Sequence, residues 1–170
     1  MKLNIFLICL LMAENVVSAT APMDKYLGQA MVEKAKALVE QEGGTKCKLF
    51  NGLQSGPSNV FHFEYICGEA NVGGLLLKKK DKGWVLQSFS IESLRYKFNV
   101  TQPTRSKWLK SMLEEFNKEF SVSCKDSVEG TRQFYKCRSA KDPNTEWELI
   151  LDDQTEKRKD TKLYIHLSLG

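Results

Sequence analysis

The chain of 170 residues is poor in the groups that run chemistry. Its only histidines are His62 and His166, and no two cysteines stand at Cys-x-x-Cys spacing. Without such spacing or clustered His/Cys ligands there is no metal-site pattern. The pairs Gly43-Gly44 and Gly73-Gly74 lack the lysine and the strand-to-helix setting of a phosphate loop, so no cofactor is predicted. Asp152-Asp153 reads as the acidic end of a strand leading into a turn. A surplus of four positive charges, 25 Lys and Arg against 21 Asp and Glu, is too mild to point to nucleic acid. Past the first residues no run is apolar for long enough to anchor in a membrane. What is present is an apolar share of 42%, ordinary for a globular domain and too high for a disordered chain.

The N-terminus sets the expected compartment. Met1-Lys2 supplies a positive start, and Ile5 to Ala13 is an unbroken apolar run of about nine residues, against the roughly 20 needed to span a bilayer. Small residues follow at Val17-Ser18-Ala19-Thr20-Ala21. This pattern predicts a signal peptide over 1–21 and a secreted, extracellular mature protein. Cys9 would leave with it. Cys47, Cys67, Cys124 and Cys137 would remain, an even count that implies disulfides in an oxidising compartment. Four cysteines allow three pairings. The charge balance is unchanged by cleavage, because Lys2 and Glu14 cancel.

Laid side by side, the two halves show the same order of features. Each has a Pro-preceded amphipathic helix opening on a Lys-aromatic-Leu triplet, Lys25-Tyr26-Leu27 or Lys107-Trp108-Leu109. Leu27, Met31, Ala35 and Leu38 share one face of the first helix; Leu109, Met112, Leu113, Phe116 and Phe120 share one of the second. A short cysteine-bearing strand follows, then a polar turn and a strand ending in a second cysteine. Phe61, Phe63, Tyr65 and Cys67 alternate in one half, and Gln133, Tyr135 and Cys137 in the other. Third and fourth strands complete each set. The reading is an α+β protein of two repeated helix-plus-four-stranded antiparallel units, over 22–98 and 99–170. On that logic Cys47 pairs with Cys67 and Cys124 with Cys137, each bridge linking the first two strands of a unit.

Helix, antiparallel sheet and two consecutive cysteine pairs resemble the cystatin-like fold, including cathelin-type and tandem-cystatin secreted proteins. The resemblance implies that architecture and not its inhibitory activity. The Gln-x-Val-x-Gly loop of inhibitory cystatins has no match, since Gln54-Ser55-Gly56-Pro57-Ser58 keeps only a Gln and a Gly. The Pro-Trp loop is missing too, as neither Trp84 nor Trp147 follows a proline.

Between the halves, Leu94, Tyr96, Phe98 and Val100 alternate with Arg95, Lys97 and Asn99, which predicts a half-buried extended connector. Asn99-Val100-Thr101 is an N-glycosylation sequon with Asn99 on the polar phase. Two basic clusters occupy corresponding turns: Lys78, Lys79, Lys80 and Lys82 in the first half, and Lys157, Arg158, Lys159 and Lys162 in the second. Such tips suit an extracellular protein with an acidic surface, an anionic glycan or anionic headgroups, and they also keep turns solvated. These features favour a non-enzymatic binding protein, such as an inhibitor or a component of venom, saliva or another secretion. A small hydrolase such as a nuclease, using His62 or His166, is one alternative. A carrier of a small apolar ligand between helix and sheet is the other.

Overall fold

The computed structural model describes residues 25–170 apart from 55–58, 96, 130–131, 142–143, 145 and 159–161. The leader read at 1–21, with Cys9, lies outside the described residues, as do Tyr96, Lys159 and the stretch after Gln54 that was compared with the inhibitory loop. Helix α1 (Gln29–Gly43) leads into β1 (Lys48–Gln54), β2 (Val60–Cys67), β3 (Ala70–Lys79) and β4 (Gly83–Ser93). Helix α2 (Gln102–Phe120) leads into β5 (Val122–Glu129), β6 (Arg132–Ser139), β7 (Glu146–Asp153) and β8 (Leu163–Leu169). The strands form one antiparallel sheet in the order β1-β2-β3-β4-β8-β7-β6-β5.

The expectation of two repeated helix-plus-four-stranded units is therefore overturned. Strands β4 and β8 hydrogen-bond to each other from Ser88↔Ser168 to Ser93↔Leu163, so the sheet has no break between the halves. Two separate sheets would each have left one of these strands as an edge with open backbone donors and acceptors. Both strands also alternate: Phe89 and Ile91 on β4, and Leu163, Ile165 and Leu167 on β8, are buried. Joining them continues one apolar surface. Phe63, Gly74, Phe89, Leu167 and Leu151 stand in register across five strands. Position 74 must be glycine for this row to close, because a Cβ there would lie 2.5 Å from the Phe63 ring and 2.7 Å from the Ser88 carbonyl oxygen.

The two triplets that suggested equivalent helix starts also part company. Lys25-Tyr26-Leu27 precedes α1. Leu27 donates its N–H to the Trp84 carbonyl (3.0 Å) and accepts from Leu86 N–H (2.8 Å), extending the ladder where β8, pairing with β4 only from Ser88, does not reach. Lys107-Trp108-Leu109 instead lies inside α2, which begins at Gln102 with a proline in its first turn. Helix α1 buries Met31, Val32, Ala35 and Val39, with Leu38 only half-buried; α2 buries Trp108, Leu109, Met112, Phe116 and Phe120. The helices pack on each other, α1 also on β2, β3 and β4, and α2 also on β5. The Phe120 ring meets Trp147 of β7 at 4.8 Å between centroids.

Strands β1 and β5 are left as the two edges of the sheet. Each is tied inward by a disulfide. Cys47, just before β1, bonds Cys67 at the end of β2 (S–S 2.02 Å), and Cys124 of β5 bonds Cys137 of β6 (2.10 Å), to which it is directly opposed in register. In the connector Phe98 and Val100 are buried and Asn99 is exposed, whereas Leu94 departs from the expected alternation by lying open to solvent. The buried Arg105 of α2 fastens the connector to the second half. It donates to the Val100 carbonyl at 2.7 Å and pairs with Asp153 at 2.7 Å and Glu156 at 2.8 Å. No helix among the described residues is long and apolar enough to cross a membrane.

Candidate functional site

The two basic clusters, placed at corresponding turns by the sequence, stand far apart. The β3–β4 turn lies at the Gly83 end of β4. The β7–β8 connection is joined to the other end, where Lys162 donates its N–H to the Ser93 carbonyl at 2.8 Å. Between them runs β4, 11 residues long, or about 35 Å at ~3.3 Å per residue. They also face opposite ways. Lys78 lies over Trp84, which lines a cleft shared with α1 and α2, on the helix side of the sheet. Arg158 lies over Tyr164, its guanidinium carbon 3.3 Å from the ring centre, and Tyr164 alternates with buried Leu163 and Ile165, so it faces away from the helices. Neither one flat surface nor one compact ligand reaches both.

Around the β3–β4 turn the lysines stand near two aromatic rings, Trp84 of β4 itself and Trp147 of β7. The Lys79 and Lys82 ammonium groups stand 5.5 and 4.6 Å from the centre of the buried Trp147 ring, and Lys78 stands 6.0 Å from Trp84. These distances fall within the range where a ring quadrupole attracts a cation. Lys80 is exposed at the turn itself. Trp147 comes from β7, so this arrangement exists only because the halves share one sheet.

Beside the turn opens a cleft of about 890 Å³ between the segment before α1, the C-terminal end of α2 and the start of β4. Tyr26, Leu27, Ala30 and Trp84 make its apolar part, and Lys25, Lys82 and Lys118 stand among its walls. Glu119 closes the helix side. Its carboxylate accepts the N–H groups of Gly28 (2.7 Å) and Ala30 (3.1 Å), capping α1 from α2. Gly28 has φ of 98°, a left-handed conformation that glycine alone adopts cheaply, and a Cβ there would sit 2.5 Å from Leu86 Cβ. Burial pushes the Glu119 carboxyl above the usual carboxylate range, with the amides of Gly28 and Ala30 opposing that rise. Tyr26 is 7% exposed, and its hydroxyl has no hydrogen-bond partner among the described residues. Burial first, then the neighbouring Tyr65, Glu33 and Glu119, raise its pKa far above the phenol range.

The two histidines line one shallow depression on the face of the sheet away from the helices, without touching each other. His62 is on β2 and His166 on β8, with β3 and β4 between, three strand spacings of ~4.8 Å or about 14 Å. His62 is exposed. His166 is half-buried opposite Ser90 and Asp152, and desolvation lowers its pKa against the pull of Asp152. Of the second cluster, Lys157 and Arg158 are exposed, Lys162 is half-buried and Lys159 lies outside the described residues.

Lys118 and Glu119 are marked by nothing in their local pattern, and Lys25 and Tyr26 stood out only as part of the triplet before the first helix; residues 25 and 118 come to one cleft only through the fold. Gly28 was a signal available in advance, since a glycine directly before an amphipathic helix marks a backbone position with special demands. Comparison with family models, curated proteins and solved structures finds no match to this chain.

Proposed function

We propose that the protein is a secreted, non-enzymatic binding protein whose working surface is the β3–β4 turn, and that its partner is a sulfated glycan. One observation carries the reading: Lys78, Lys79 and Lys82 stand against tryptophan rings, with Lys80 beside them. Ammonium groups resting on rings lose less freedom when an anion arrives, and crowding four cations against the single anion Asp81 on one turn raises the local potential above what a net charge of +4 spread over the chain suggests. A linear polyanion suits a narrow protruding turn better than a broad surface would. The oxidising compartment of a secreted protein suits the Cys47–Cys67 and Cys124–Cys137 bonds. The separation of His62 from His166 favours binding over catalysis by that pair. The test is chromatography on immobilised heparin with Lys78, Lys79, Lys80 and Lys82 replaced by Gln. Elution should move to markedly lower salt than for the unaltered chain; unchanged elution would remove the turn from the proposal.

A further inference from the structure

Beyond glycan binding at the turn, the cleft beside it has the makings of a small-molecule site. Its volume of about 890 Å³ is in the range that accepts a compact organic ligand. The apolar part is continuous from Tyr26 and Leu27 to Ala30 and Trp84. The charges around it are not balanced by one another. Glu33 already holds Lys36 at 2.9 Å, and Glu119 is taken up by the first amides of α1. Lys25, Lys82 and Lys118 make no ion pair among the described residues, so three cations face two lining carboxylates without such a partner, Glu115 and the amide-bound Glu119.

We propose that the cleft binds a small amphiphile carrying an acidic head, of the class of a medium-chain carboxylate. Its apolar body lies along Leu27, Ala30 and Trp84, and its acid group sits among Lys25, Lys82 and Lys118. The charge imbalance chooses an anion over an amine, and the apolar lining chooses a body of several carbons over a bare inorganic ion. The site shares Lys82 and Trp84 with the turn, whereas Ala30 belongs to the cleft alone and lets the two proposals be tested separately.

Dodecanoate is the probe, titrated into the full mature chain by isothermal calorimetry, with dodecyltrimethylammonium as the counterpart of opposite charge. One equivalent of dodecanoate should bind, and the cationic amphiphile should bind at least about tenfold more weakly. Ala30→Trp, which fills the cleft without touching a charge, and the pair Lys25→Glu with Lys118→Glu should each weaken dodecanoate by about tenfold or more. The proposal is overturned by absence of dodecanoate binding, by equal affinity for the two amphiphiles, or by full binding to Ala30→Trp. Heparin retention of Ala30→Trp should match the unaltered chain, which keeps a failure of the cleft distinct from a failure of the turn.

Discussion

Glu119 and Gly28 lie 91 positions apart, and their 2.7 Å hydrogen bond makes the last turn of α2 the cap of α1. Helix α1 has no side-chain cap of its own, since Gly28 at its N-cap carries no side chain. The carboxylate of the other helix takes that part, serving two amides that would otherwise lack partners. Glu119→Ala should therefore destabilise the protein by about 1–2 kcal/mol, the usual worth of a helix cap. Glu119→Gln keeps one accepting oxygen and should lose less. Urea denaturation of the two variants measures both; equal and negligible losses would mean that the cap is not formed.

The two edge strands should be the parts most dependent on covalent help. The bridges close loops of sequence separation 20 and 13, for which the chain-entropy relation gives about 3 kcal/mol each. Replacing both members of either pair by Ser should lower stability by about that amount and speed amide exchange in β1 or β5 ahead of the central strands. Non-reducing peptide mapping should find Cys47 joined to Cys67 and Cys124 to Cys137. A bond between the halves would contradict the register of β5 and β6.

Arg105 makes the connector rigid. Its side chain is 4% exposed and serves Val100, Asp153 and Glu156 together. Arg105→Met keeps much of the bulk but strips Asp153 of its cationic partner, leaving it only the Thr155 N–H, and should cost about 2–3 kcal/mol. Glu156→Gln, at a carboxylate 76% exposed, should cost well under 1 kcal/mol, as exposed pairs do. Thermal denaturation of the pair of variants separates the two contributions.

His166 should make stability fall on mild acidification. Its folded-state pKa lies below the ordinary value of 6.5, first because burial disfavours the imidazolium and then through Arg158 and Arg132, with Asp152 acting the other way. The folded state accordingly binds fewer protons than the unfolded chain once the pH passes below that ordinary value. The stability held by neutral His166 is complete above it and is lost as the pH falls through the folded-state pKa. His166→Gln should flatten the stability profile between about pH 7 and 5. A profile with the same slope in the variant would assign the loss to other groups.

Much of the fold was legible because it is local. Phe61, Phe63, Tyr65 and Cys67 alternate because one face of an antiparallel sheet is buried, and all four are indeed buried. The order helix, four strands, helix, four strands could be read for the same reason. The union of β4 with β8 could not, since pairing between strands some 75 residues apart leaves no trace in either strand beyond the apolar face both would carry in separate sheets. The error propagated to function. Two basic turns that look alike along the chain were expected to act alike, yet Arg158 is laid on a ring of its own strand pair while Lys79 and Lys82 reach Trp147 across the joined sheet.

That difference supplies the sharpest test. On immobilised heparin, neutralising Lys78, Lys79, Lys80 and Lys82 should lower the eluting salt strongly, while neutralising Lys157, Arg158, Lys159 and Lys162 should change it little beyond the loss of charge. The same column run with Trp147→Leu, which keeps every lysine but removes the ring beneath two of them, should fall between the two. The reverse order, with the second cluster dominating retention, or equal losses from both, would contradict an account in which the β3–β4 turn is the binding surface.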